Sequence, residues 1–249
     1  MPRSTIARID LDALRRNFQT AQRRAGGASV MAVVKADGYG HGIGPVASAL
    51  DSLAPKYAVA CLEEARAIRE TGLTQPVVLL QGVHAEADIA ECARSGFEPV
   101  FHSFQQLAWL ERLDTWPAFW LKVNSGMNRL GFHPDELAGV MSRLQAMSAD
   151  TELLGFVTHF ACADDPDSAM TAQQTAVFEK ATSSFPDLMK SVANSAAHFR
   201  PGQPMFDWSR PGIMLYGGSP MVGTTGPELG LEPVMSLEAP LISTRLVPA

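Results

Sequence analysis

The chain has 249 residues, with 20 lysine and arginine residues against 26 aspartate and glutamate residues, a formal net charge of −6. A mildly acidic chain with no basic run argues against a nucleic-acid or anionic-membrane surface, and no apolar stretch approaches the roughly 18 residues of a membrane span. The default partner is therefore a small molecule. The opening residues, Met1 to Ile6, carry no apolar signal core, so the expected compartment is the cytoplasm. Cys61, Cys92 and Cys162 are odd in number and widely separated, which suits reduced packing residues and indicates neither a disulfide framework nor a metal site.

Leu11, Leu14, Phe18 and Ala21 recur at helical spacing behind Asp10, so residues 10 to 24 read as an amphipathic helix that ends at Gly26-Gly27. The next stretch, Val30-Met31-Ala32-Val33-Val34-Lys35-Ala36-Asp37-Gly38-Tyr39-Gly40-His41-Gly42, is an apolar β-branched run that stops on a lysine and breaks into glycines. It reads as a buried strand delivering one amine to a cleft. A lysine amine delivered there can serve as the nucleophile that imine formation requires, and the glycines let backbone approach a ligand. Taken alone, the stretch reads first as an ordinary strand whose terminal lysine reaches water.

Short apolar runs then follow at regular intervals: Tyr57 to Leu62, Pro76 to Gln81, Glu98 to His102, Phe119 to Val123, Leu153 to His159 and Ser191 to Asn194. Each looks like a strand buried on both faces. Between them lie helix-like segments, Glu63 to Thr71, Ala85 to Arg94, Phe104 to Leu113, Pro134 to Met147 and Met170 to Ser184. The eighth strand is Met205 to Arg210 or Ile213 to Tyr216, and we favour the first. Repeated βα alternation of this length predicts an α/β fold, a (β/α)8 TIM-type barrel over residues 1–230, with its site at the carboxyl ends of the strands. The polar residues there are Lys35, Gln81, His102, Lys122 with Asn124, His159, Asn194 with Ser195, and Arg210.

From about Leu231 the pattern changes, and Met235, Leu237, Ala239 and Leu241 alternate with Ser236, Glu238 and Pro240. A period of two suits a half-exposed strand. With no following turn or partner in view, residues 231–249 read as a linker and first strand of a C-terminal β domain that the chain does not contain, or as a tail packing back on the barrel.

Four further segments join the lysine stretch: Leu121-Lys122-Val123-Asn124-Ser125-Gly126-Met127-Asn128-Arg129-Leu130-Gly131, Thr158-His159-Phe160-Ala161, Asn194-Ser195-Ala196-Ala197, and Arg210-Pro211-Gly212-Ile213-Met214-Leu215-Tyr216-Gly217. In this set and order, and through the whole chain, the sequence resembles the alanine racemases, fold-type III enzymes dependent on pyridoxal 5'-phosphate. The resemblance makes Lys35 the lysine that holds the cofactor as an imine and acts as the base on one face of alanine. It makes Tyr39 a wall of the site, and Arg210 the donor to the pyridine nitrogen, with His159 beside it. Because arginine keeps its proton, the ring nitrogen stays unprotonated and electron withdrawal is moderated. Arg129 resembles the arginine facing the substrate carboxylate, a catalytic position. Lys122 resembles a lysine carbamylated in many members, although Asn124 stands where many have aspartate. Asn194, Ser195 and the amides of Gly212 and Ile213 are the expected cofactor and phosphate contacts. This is why the eighth strand is placed before Arg210: the alternative would bury those amides in a ladder.

The resemblance also implies a homodimer in the full-length protein, and a second base, a tyrosine carried by the partner's C-terminal domain. Here only Tyr39, Tyr57 and Tyr216 occur, and none matches that tyrosine's motif. The chain is thus expected to bind the cofactor with little racemase activity of its own. Alternatives are another fold-type III enzyme, such as a racemase of broader specificity, or a non-catalytic barrel that carries the cofactor.

Overall fold

The computed structural model describes residues 5 to 147 and 152 to 247. Met1 to Ser4, read above for a signal core, and Pro248-Ala249, the end of the expected second segment, lie outside the described residues. Strand β1 (Ile6–Ile9) leads into helix α1 (Leu11–Arg24), whose start is fixed by Asp10: its carboxylate accepts the Asp12 and Ala13 N–H groups at 2.9 Å each. Eight parallel strands follow, β2 (Ser29–Val33), β3 (Lys56–Val59), β4 (Val77–Leu79), β5 (Phe97–Phe101), β6 (Phe119–Lys122), β7 (Leu153–Val157), β8 (Met189–Ser191) and β9 (Trp208–Ser209). They pair in chain order and β9 returns to β2, closing the barrel. Around it lie α2 (Ile43–Ala49), α3 (Leu62–Glu70), α4 (Glu86–Ser95), α5 (Phe104–Leu110), α6 (Leu137–Met147) and α7 (Met170–Thr182).

Strand parity positions the site. Met31, Val33, Ala58, Val78, Val100, Trp120 and Val157 form the buried core inside the barrel, while their neighbours Ala32, Tyr57, Val77, Leu79, Phe119, Leu121 and Phe156 pack outward under the helices. Two residues beyond an inward residue, the side chain points inward again. Val33, Ala58, Val78, Trp120 and Val157 thus predict Lys35, Ala60, Leu80, Lys122 and His159 at the barrel mouth, and all five line its cavity. At the opposite end the lumen is filled by Lys56 paired with Glu98, whose other oxygen accepts from the Trp120 indole at 2.9 Å.

The structure corrects the sequence reading at several elements. The strand Met235–Glu238, here β10, has a partner: it pairs antiparallel with β1, with Ile6 opposite Glu238 and Ile9 opposite Met235. Helix α2 and strand β1 went unread, β1 because four residues of mixed polarity carry no periodic signal. The seventh barrel strand pairs over Met189–Ser191, upstream of the expected Ser191 to Asn194. Of the two candidates for the eighth strand, the stretch before Arg210 closes the barrel, and Ile213–Tyr216 is a 3-10 turn outside the ladder.

Candidate active site

A cavity of about 500 Å³ opens at the carboxyl ends of the barrel strands. Lys35, Tyr39, Lys122, Arg129, His159, Asn194, Ser195, Arg210, Gly212 and Ile213 all line it, as does Gln81. His102 and Asn124 do not. The His102 ring lies 3.1 Å from the Gln81 carbonyl and 3.2 Å from the Gln106 amide, a satisfied position at the rim.

Lys35 does not end a strand, as the sequence suggested. The β2–β3 pairing finishes with the Val34 N–H donating to the Ala58 carbonyl at 2.9 Å, and Lys35 opens a left-handed turn. Ala36, Asp37, Gly38 and Tyr39 have φ values of 53°, 52°, 60° and 54°. Each non-glycine residue held there costs about 1–2 kcal/mol, so neighbouring contacts must offset it. The Gly38 N–H donates to the Val34 carbonyl at 2.9 Å, the Ile43 N–H to Asp37 Oδ1 at 2.8 Å, and the Ala36 N–H to Glu64 Oε1 at 2.7 Å. The turn brings the Tyr39 ring to 5.3 Å from Lys35 Nζ and stacks it on Tyr216 at 4.7 Å. Tyr216 donates its hydroxyl to the Val33 carbonyl at 3.3 Å, and burial raises the pKa of both phenols.

Arg210 is buried, with its backbone N–H on the Ala193 carbonyl at 2.8 Å. Its Nη1 donates to Ser191 Oγ and its Nη2 to the Thr158 and Val192 carbonyls, which fixes the guanidinium plane. Nε has no partner among the described residues. Desolvation lowers the Arg210 pKa to about 10, which still leaves it cationic at neutral pH. Beside it, His159 is pushed down to about 3 by burial first and then by Arg210, Lys122, Arg129 and Lys35, so its imidazole is neutral. Lys122 falls to about 8, again by burial first, then by repulsion from Arg210 and Arg129.

Arg129 sits on a loop shaped by Asn124, whose Oδ1 accepts the Gly126 and Asn128 N–H groups at 3.2 and 2.9 Å and whose Nδ2 donates to Asn128 Oδ1 at 3.0 Å. The amide at this position thus builds a turn, with Asn128 at φ 58°. On the other wall, the expected phosphate contacts are not all free. The Gly212 N–H donates to Ser195 Oγ at 2.8 Å and the Met214 N–H to the same oxygen at 3.4 Å. That leaves the Ser195 hydroxyl proton and the Ile213 N–H, which no described residue accepts. A Cβ built at Gly212 would lie 2.2 Å from the Tyr39 hydroxyl, so only glycine lets these two walls meet. Asn194 also supports the next turn, with Oδ1 accepting the Ala197 N–H at 3.2 Å.

Two residues outside the cavity wall organise it and were not singled out from sequence. Glu64, in the first turn of α3, accepts the Ala36 N–H and, at 2.7 Å, the Ala60 N–H. Gln174 on α7 is 1% exposed; its Nε2 donates to Ser125 Oγ at 3.3 Å and to the His159 carbonyl at 2.9 Å, and its Oε1 accepts the Ala161 N–H at 2.9 Å. Ser125 in turn lies 2.7 Å from Thr158 Oγ1, so one network joins the Arg129 loop to the residues around His159 and Arg210. The signal for Gln174 was a polar residue in line with Met170, Phe178 and Ala181 at helical spacing; for Glu64 it was only an acid at a helix start.

A family model described as the N-terminal domain of alanine racemase matches residues 9–220. The chain is similar to the alanine racemase of Marinobacter nauticus, 63% identical over 249 residues, covering 100% of this chain and 70% of the relative. It is 46% identical over 253 residues to the alanine racemase of Thioalkalivibrio sulfidiphilus, with the same coverage. Among solved structures it resembles the biosynthetic alanine racemase of Pseudomonas aeruginosa, with a TM-score of 0.88, 38% identity, and coverage of 94% of this chain and 66% of that one. It also resembles the Bartonella henselae alanine racemase with covalently bound pyridoxal phosphate, with a TM-score of 0.86, 27% identity, and coverage of 100% and 72%. The chain thus spans about 70% of the length of these curated relatives.

Proposed function

The chain belongs to the alanine racemase family, isomerases that use pyridoxal phosphate, and from that premise we propose that it holds the cofactor on Lys35 and acts there on the α-proton of alanine. The observation that carries this reading is the convergence of Lys35, Arg129, Arg210 and Ser195 on one cavity from separate strand ends. The residues suit the cofactor: the Ser195 hydroxyl and the Ile213 N–H would hold the phosphate beside a glycine with no room for a Cβ, and the unpaired Arg210 Nε would donate to the ring nitrogen. When bound, pyridoxal phosphate supplies the electron sink that acidifies the bond between hydrogen and the α-carbon of an amino acid.

The chain's own groups do the rest. Lys35 takes or returns the proton on its face of the α-carbon. Arg129 offers its guanidinium fork to the carboxylate. Arg210, its Nη groups already bonded, donates without giving up its proton, and neutral His159 beside it adds no competing charge. Lys122 we propose to be carbamylated, which would place an anion near both arginines. We also propose a cytoplasmic homodimer whose partner subunit supplies the second base. The barrel is taken to residue 230, with residues 231–249 opening a β unit to which the Ile6–Ile9 strand adds.

Loaded with pyridoxal phosphate, the protein should show a near-visible band that borohydride fixes to the peptide containing Lys35. The same band in Lys35→Ala would contradict the assignment.

A further inference from the structure

Two features converge just after Lys35. The chain enters a left-handed turn at Ala36, a residue with a Cβ, and among the described residues the Ala36 N–H donates only to Glu64 Oε1, at 2.7 Å. The second oxygen of the same carboxylate accepts the Ala60 N–H at 2.7 Å, and Ala60 lines the cavity two residues beyond the inward-facing Ala58. One carboxylate therefore ties the chain just after Lys35 to the end of the neighbouring strand β3 at the rim of the barrel. Upstream, the Val33 N–H donates to the Pro211 carbonyl at 3.1 Å and the Val34 N–H to the Ala58 carbonyl at 2.9 Å. With both flanks pinned, the peptide plane between Lys35 and Ala36 is fixed, and with it the direction in which the Lys35 side chain leaves the backbone.

We infer that Glu64 is a positioning residue for Lys35: its carboxylate holds the Lys35–Ala36 peptide in the left-handed turn and so aims the amine at the cofactor. An acid in the first turn of a helix usually serves that helix. Glu64 serves it only in part, because one of its two acceptor atoms is given to a peptide 28 residues upstream. Its neighbour Glu63 occupies the same first turn, is exposed, and has no such bond, so it carries the helix-terminal charge without the clamp.

The proposal rests on Lys35 being the attachment point, and the test separates the two. The 249-residue protein, wild type and the variants Glu64→Gln, Glu64→Ala and Glu63→Ala, is mixed with pyridoxal phosphate, and three quantities are read: the rate of borohydride-fixed label at the Lys35 peptide, the pH midpoint of the near-visible band, and the thermal midpoint without cofactor. Loss of a charge-assisted hydrogen bond should slow labelling about tenfold in Glu64→Gln, and at least as much in Glu64→Ala. The pH midpoint should move in both, while Glu63→Ala keeps the wild-type rate and midpoint. Should Glu64→Ala not fold, Glu64→Gln, which keeps the shape, carries the comparison. Glu64 variants that match Glu63→Ala in labelling and in pH midpoint, with only the thermal midpoint lowered, would reduce Glu64 to a helix cap and overturn the inference. Wild-type label on a different lysine would overturn both the inference and the Lys35 assignment.

Discussion

Lys122 has no carboxylate partner among the described residues and faces repulsion from Arg210 and Arg129, in a position 8% exposed. Its pKa of about 8 makes the neutral amine, the form that reacts with carbon dioxide, far more abundant near neutral pH than for an ordinary lysine. The sign follows: carbamate should form above neutral pH, where the amine is free, and be lost as acid protonates it. With 13C-bicarbonate, a carbamate carbon resonance is expected at pH 8.5, absent below about pH 6 and absent in Lys122→Arg. No resonance in the wild type at the higher pH would remove this part of the account. At this scale the sequence was informative, because polar groups at the ends of apolar runs are visible in one dimension: of the nine chosen that way, Lys35, Gln81, Lys122, His159, Asn194, Ser195 and Arg210 line one cavity, and His102 and Asn124 do not. It was silent on Glu64 and Gln174, whose contacts at Ala36 and Ser125 lie 28 and 49 residues away and which do not line the cavity.

Among elements, α7 shows how helical periodicity decides which of two identical neighbours matters. Gln173 faces solvent, whereas Gln174 lies under the barrel rim with both ends of its amide bonded. Gln174→Leu would keep the volume and strand the Ala161 N–H and the His159 carbonyl, leaving Ser125 Oγ with Thr158 Oγ1 alone, each lost partner costing about 1–3 kcal/mol where it stays buried. Equilibrium urea unfolding should show Gln174→Leu destabilised by about 2–5 kcal/mol and Gln173→Leu within about 0.5 kcal/mol of wild type. Equal effects would mean the network is not what joins the Arg129 loop to the His159 wall. The same periodicity made six of the helices readable. The left-handed turn after Lys35 was not, because Ala36 and Tyr39 disfavour that conformation and the run is held there by Glu64, Asp37 Oδ1 and the end of β2.

For the whole molecule, the repeated βα pattern was enough to infer a closed parallel barrel and the end that carries the site. The pairing of β10 with β1 was not legible, since its partner lies more than two hundred residues away and neither strand is buried. The closed barrel also constrains the reaction. Tyr57 donates its hydroxyl to the Ala47 carbonyl at 2.9 Å and Tyr216 to the Val33 carbonyl, so both are committed inside the fold. Tyr39, four residues after Lys35, is the remaining tyrosine, and its hydroxyl lies against Gly212. We propose that a second proton carrier on the opposite face does not come from these tyrosines, and one such group is typically worth about 10² to 10⁴ in rate.

In the proposed mechanism Lys35 moves the α-proton on one face only. Its most direct test is to incubate the cofactor-loaded 249-residue protein with each enantiomer of alanine in deuterium oxide, following both deuterium at the α-carbon and optical rotation. Slow exchange that favours one enantiomer is expected, abolished in Lys35→Ala, with inversion far slower than exchange. Inversion of both enantiomers as fast as exchange, or exchange that survives Lys35→Ala, would contradict it.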